Sequence, residues 1–207
     1  MFSQSSWSLL PRIRVAYDDP LAVSRLAGAL SYYLRRLNPS GTRRLVVLGI
    51  GTDRSTGDSL GPLVGSKLAE RVQGPVILGT LDSPVHAANL QERLEELHKT
   101  LGDSLVLAID ACLGQKESVG LITLAEGPLR PGAGVHKDLP AVGHLHVTGV
   151  VNVGGYMEYM VLQNTRLSLV MRMAEQIAAA IAAAWQMTVG PAHGLVTAVA
   201  AAQEASC

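Results

Sequence analysis

The sequence predicts a three-layer α/β/α sandwich built on a mostly parallel or mixed sheet of about five strands, and three observations carry that expectation. Short unbroken apolar runs at Leu45–Leu48, Val76–Leu81 and Leu105–Ile109 read as strands covered on both faces. Segments with helical apolar spacing separate them. Glycine-rich loops follow the first run, where an α/β sheet presents its functional edge. At 207 residues the chain fits one domain, 1–207, with a core over about 44–185, an N-terminal helix over about 20–38 and a C-terminal tail over about 186–207.

Asp19 before Pro20 is a helix-start signal, and Leu26, Leu30, Tyr33 and Leu37 recur at helical spacing until Asn38-Pro39 ends the pattern. The first strand runs to Ile50. A helix over about Ser59–Arg71 follows, then the Val76–Leu81 strand, then a helix expected to start at Ser83-Pro84 with Leu90, Leu94, Leu97 and Leu101 on its inner face. Glu92, Arg93, Glu95, Glu96 and Lys99 form its solvated face. After the third strand, Val119–Leu124 and Leu145–Val151 supply two more, separated by the Pro/Gly-rich stretch Gly127–Pro140. One long helix is then expected from Gly154-Gly155 to about Trp185, with Tyr156, Met160, Leu167, Val170, Met171, Ala174, Ile177 and Ile181 on a buried stripe.

Composition narrows the function. Lys plus Arg and Asp plus Glu stand at 17 each and only 16% of residues are charged, so there is no electrostatic footprint for nucleic acid. Two cysteines, Cys112 and Cys207, make no disulfide framework, which fits a reducing cytoplasm. Residues Met1–Arg14 lack the pattern of a secretory signal, and the Ala-rich C-terminal stretches are interrupted before reaching the length of a membrane span. The expectation is a cytoplasmic protein with a protein or peptide partner, no membrane, no metal and no cofactor.

Two acids stand where chemistry is expected. Asp58 lies in the loop Gly51–Pro62 between the first strand and the next helix, and Asp110 ends an otherwise apolar strand. Neighbouring strands lie about 4.8 Å apart, so acids at adjacent strand ends can converge on one water. A close pair cannot both ionise cheaply and so supplies an acid and a base together. From position alone a helix cap is the better reading of Asp58, whereas Asp110 needs a partner or water access and a structural hydrogen bond competes there with the catalytic reading. Asp53, Thr56 and Ser59 share the loop and are candidates to orient Asp58 or touch substrate, although turn and cap roles account for them as well. Cys112 with a histidine is a competing thiol site, but a small hydrophobe packed behind Asp110 is the plainer reading. His144 and His146 alternate along a strand, a weak metal signal without a third ligand. Gly49 and Gly51 fail as a dinucleotide loop because Arg54 replaces the third glycine.

The motifs GTDRSTGDSLGP, AIDACLG, PGAGVHKDLPAVG and VNVGGYMEYMVLQNTRLSLVMRMA resemble the YyaC-type sporulation proteins, which are similar to the germination protease. The resemblance spans about Arg44 to Trp185. It implies an atypical aspartic peptidase of the forespore or spore interior acting on small acid-soluble spore proteins, with its essential acids at Asp58 and Asp110; homo-oligomers are a family-level expectation. A degenerate member that binds such a protein without cutting it, or a metal-assisted peptidase, is the alternative. More distantly the chain resembles the hydrogenase maturation peptidases, with Asn152 at the place of their metal-gripping histidine and His136, His144 and His146 as possible substitutes. Asn152 and His136 are therefore further candidates for substrate binding.

Overall fold

In the computed structural model, which describes residues 12–132 and 139–188, a six-stranded mixed sheet is flanked by helices on both faces. The elements in chain order are β1 (Ile13–Ala16), α1 (Ala22–Leu37), β2 (Leu45–Gly49), a 3-10 turn (Gly57–Ser59), α2 (Leu60–Ala69), β3 (Val76–Leu78), α3 (Leu90–Leu101) and β4 (Leu105–Gly114). A second 3-10 turn (Lys116–Ser118), β5 (Leu121–Glu126), β6 (Leu145–Val153), α4 (Glu158–Gln163) and α5 (Leu167–Thr188) complete it. The strand order is β1-β5-β6-β4-β2-β3. β3, β2, β4 and β6 are parallel, whereas β5 runs antiparallel to both β6 and β1.

Side-chain alternation divides β4 between two cores. Leu105, Leu107 and Ile109 face the larger one, with Leu26 and Leu30 of α1, Leu60, Val64 and Leu68 of α2, and Val170, Met173 and Ile177 of α5. Val106 and Ala108 face the smaller one, closed by Leu90 and Leu97 of α3 and by Leu129 and Val142. α5 is apolar and long enough to cross a membrane by length and composition. Its Val170, Met173, Ala174, Ile177, Ala178 and Ile181 are instead consumed by the core.

Several expectations need correction. The sheet gains β1, four residues too short to carry a periodic signal, which extends it by pairing with β5. Asp19 is not the N-cap of α1: Leu21 is, and the Asp19 carboxylate accepts the Leu21 N–H at 2.8 Å and pairs with Arg25 at 2.9 Å. α3 starts at Leu90, not at Ser83-Pro84, because Val85 leaves the loop to bridge Ile50. The expected long C-terminal helix is two helices separated at Asn164–Arg166, and Tyr156, Met160, Leu167 and Met171 of its supposed inner stripe are exposed. Thr165 breaks the run: its side chain is buried beneath Asn152, which fixes the bend.

The opposite end of the sheet is locked by His144. Its Nδ1 accepts the Val106 N–H at 3.1 Å, and Arg43 Nη2 lies 3.0 Å from its Nε2 while bonding the Ser104 carbonyl at 2.9 Å. Arg43 also lies 2.9 Å from the Asp103 carboxylate, an ion pair without hydrogen-bond alignment. Burial first, and the Arg43 charge second, hold the proton affinity of His144 below its ordinary value, with Asp103 opposing. The unfolded ring therefore takes up its proton first as pH falls below about 6.5, so stability drops there until the folded ring is protonated too. Urea midpoints between pH 7 and pH 5 are expected to fall less steeply in His144→Gln than in the wild type.

Candidate active site

The site arises because β4 is longer than its neighbour. β2 pairs with β4 from Leu45↔Leu105 to Gly49↔Ile109 and then stops. Asp110 is the first residue of β4 past that point, so it is not a strand-end acid as the sequence suggested: the strand continues to Gly114, paired with β6 alone. The edge that β2 vacates is occupied by the loop 51–58. The Ile50 N–H bonds the Ile109 carbonyl at 2.7 Å, the Gly51 N–H bonds Val85 at 2.8 Å, and the Thr52 N–H returns to the Asp58 carbonyl at 3.2 Å. The chain leaves β2 toward β3 and leaves β4 toward the other half of the sheet, so the two acids flank the crevice where the connections diverge, the usual ligand position of an open α/β sheet.

Asp58 sits in the 3-10 turn that opens α2, and neither that turn nor α2 has a side-chain cap hydrogen bond. The competing cap role is thus unfilled. It is half-buried, and burial raises its proton affinity, whereas a backbone hydrogen bond with Thr52 and the charge of His86 pull the other way. Asp110 is 7% exposed. Burial and then the negative charge of Asp58 hold its carboxyl well above the ordinary value, against a single opposing hydrogen bond from the Ala111 N–H at 2.8 Å. Asp110 therefore senses the charge of Asp58 and is strongly biased toward its proton.

His86 is the residue that sequence reasoning missed. Val85 pairs with Ile50, which puts His86 beside the Asp58 loop. Its backbone N–H bonds the Asn89 Oδ1 at 2.8 Å and its Nδ1 lies 3.3 Å from the Ala88 nitrogen, which holds the ring in place. Asn89 before the first apolar residue of α3 was the available signal, since an amide there is a better helix start than Ser83-Pro84 and leaves 82–88 as a loop.

The other candidates separate cleanly. Ser59 is buried and its hydroxyl bonds the Thr56 carbonyl at 2.7 Å, so both hold the turn. Asp53 is exposed and takes only a 3.4 Å bond from Thr52 Oγ1. Asn152 Nδ2 bonds the Val161 carbonyl at 3.3 Å and Thr165 Oγ1 at 3.2 Å, and its Oδ1 accepts the Val153 N–H at 2.8 Å, so it ties α4 to the end of β6. His136 lies outside the described residues. His146 bonds the Gly127 carbonyl at 2.9 Å. Cys112 follows Asp110 on the same face of β4. Burial and the Asp110 charge raise its thiol, with Thr148, Arg12 and Arg14 opposing, which favours an inert thiol over a nucleophile. Among the described residues, no three of His, Cys, Asp and Glu come together to hold a metal ion.

Residues 14–180 match the family described as a protein of unknown function, DUF1256, and the chain belongs to that family. It is 51% identical over 165 residues to the uncharacterized protein YyaC of Bacillus subtilis, covering 79% of each chain. Among solved structures it is similar to the [NiFe] hydrogenase maturation protease HycI from Thermococcus kodakarensis, at 20% identity and a TM-score of 0.48, over 72% of this chain and 96% of that one.

Proposed function

We propose that this protein is a peptidase of atypical aspartic type, acting inside the sporulating cell on small acid-soluble spore proteins, with Asp58 as base and Asp110 as acid. The observation that carries the reading is the unequal environment of the two carboxyls: Asp110 is enclosed and pushed far toward its protonated form, whereas Asp58 is raised less and has Thr52 and His86 supporting its charge. Environments that push two acids apart assign their roles.

Asp58 takes a proton from a water held between the acids as the water oxygen bonds to the scissile carbonyl carbon. Asp110 gives its proton to the carbonyl oxygen, so no bare oxyanion forms. As the tetrahedral intermediate collapses, the proton on Asp58 passes to the leaving nitrogen, the C–N bond breaks, and Asp110 recovers a proton from the intermediate's hydroxyl. His86 is a positioning residue that favours the charged form of Asp58.

Incubation with a small acid-soluble spore protein, followed by mass spectrometry of the new termini, tests the proposal. Cleavage is expected in the wild type and not in Asp58→Asn; cleavage that survives in both Asp58→Asn and Asp110→Asn sinks the mechanism. The pH–rate profile is expected to be a bell whose two limbs both lie above the ordinary carboxylate value of 3.8, as macroscopic constants of the pair. Removing the charge of His86 with His86→Gln moves the acidic limb upward, since one of the influences lowering Asp58 is lost. An unmoved limb removes His86 from the site.

A further inference from the structure

Seven of the ten large hydrophobic residues exposed among the described residues fall between Val153 and Met171. Tyr156 is 81% and Tyr159 63% exposed, and Met157, Met160, Leu167 and Met171 stand beside them on α4 and the first turns of α5. α4 buries no residue at all. A groove of about 510 Å³ runs along it from Asn152 to Asn164. A whole aromatic side chain covers about 150–250 Å², so the two tyrosines alone leave more than about 200 Å² in the open. With the three methionines and Leu167 the shelf reaches or passes the roughly 300–600 Å² of the largest apolar patch on a typical monomer. It approaches the area of about 800 Å² that one partner contributes to a standard protein interface.

Its charges are also suited to self-association. Glu158 accepts the Gly155 N–H at 3.2 Å and makes no ion pair among the described residues, and Arg166, exposed in the turn before α5, makes none either. One acid on α4 and one base in the turn that follows it are what a two-fold interface can match, since residue i then meets residue j in both directions.

We propose that the α4 shelf is a homodimer interface, covered by the same surface of a second copy, with Tyr156 and Tyr159 as its anchors and Glu158 of each copy opposite Arg166 of the other. α4 also packs on the turn that carries Asp58: a Cβ at Gly57 would lie 2.8 Å from Leu162 Cδ2. The second copy therefore stands beside the acid crevice. This assignment is independent of the peptidase reading.

Sedimentation velocity of the full chain at micromolar concentrations is the test. The expected species has twice the 21.8 kDa mass of the chain. Tyr156→Ser with Tyr159→Ser weakens the dimer by about 10-fold or more, as loss of aromatic anchors does. Arg166→Glu gives a monomer with an unchanged far-ultraviolet spectrum, and Glu158→Arg combined with Arg166→Glu restores the dimer. A wild type that sediments as a monomer overturns the proposal, as does a dimer indifferent to all of these changes. Should the monomer bind unfolded casein, or neutral phosphatidylcholine vesicles, only while the tyrosines are present, the shelf belongs to peptide or to lipid and the dimer is rejected.

Discussion

Asp110→Asn is expected to lower hydrolysis by about 10²–10⁴-fold, the usual contribution of a positioned acid, and at the same time to make the protein harder to unfold at neutral pH. The second effect follows from linkage. A carboxyl whose folded proton affinity is raised stabilises the fold below the unfolded value of about 3.8 and loses that contribution as pH rises through the folded value. Asp110 is 7% exposed, and burial is the first cause of its shift. At pH 7 the unfolded side chain is ionised in water, so keeping it protonated or charged inside the fold costs free energy that the neutral amide does not incur. Each 1 kcal/mol recovered raises Tm by about 2–4 °C in a domain of this size. The advantage of the asparagine variant is expected to shrink toward pH 4 and vanish below it. Calorimetry at pH 7 and pH 3.5, alongside the cleavage assay, reads both effects. A Tm difference between variant and wild type that is the same at the two pH values would mean that Asp110 is not held out of its ordinary ionisation.

Gly61→Ala is expected to destabilise the fold by about 3 kcal/mol, at the upper end for an overpacked site, and to lower Tm by about 6–12 °C. A Cβ at Gly61 would lie 2.2 Å from the Ile50 carbonyl oxygen and 2.5 Å from its nitrogen. Both are backbone atoms, so no side-chain rotation relieves the clash. Gly79 is equally constrained: its φ is +74°, and a Cβ there would lie 1.8 Å from the Gly49 carbonyl oxygen. At these positions α2, the end of β2 and the exit from β3 touch backbone to backbone. Lifting α2 by an ångström also moves Asp58, one turn before Gly61, and misplacement on that scale costs about 10²-fold in rate. Gly28→Ala is the control, since nothing lies within 4 Å of a Cβ there. It is expected to stabilise α1 by about 0.5–1 kcal/mol, measured by urea unfolding of both variants.

The parts of this molecule that the sequence made legible are those in which burial is continuous. Leu45–Leu48 and Leu105–Ile109 are apolar on both sides because helices cover both faces, and Leu26, Leu30 and Tyr33 mark α1 because one face of it is buried. Asp110 stood out for the same reason, as an acid ending an apolar run, whereas Asp58 stood out by its place in the loop after the first strand. What escaped depended on pairing rather than periodicity. β1 is held by its neighbour β5, and the length of β4 is set by β6, neither of which leaves a local signature. Placing Tyr156 and Met160 in the core was an error of composition: their spacing suits a helix face, but Thr165 turns the chain there and leaves them in solvent. His86 was hidden by a helix start placed several residues early.

The overhang of β4 beyond β2 separates the part of the strand held by two neighbours from the part held by one. Residues up to Ile109 pair with strands on both sides, whereas Asp110–Gly114 pair with β6 alone, although Ala111 and Leu113 still pack against the larger core. Asp110 and Cys112 lie on the face of this lip turned away from the larger core, so exchanges there disturb that core least. Lengthening or trimming the lip by two residues keeps its side chains facing the same way while shifting them by about 6.6 Å.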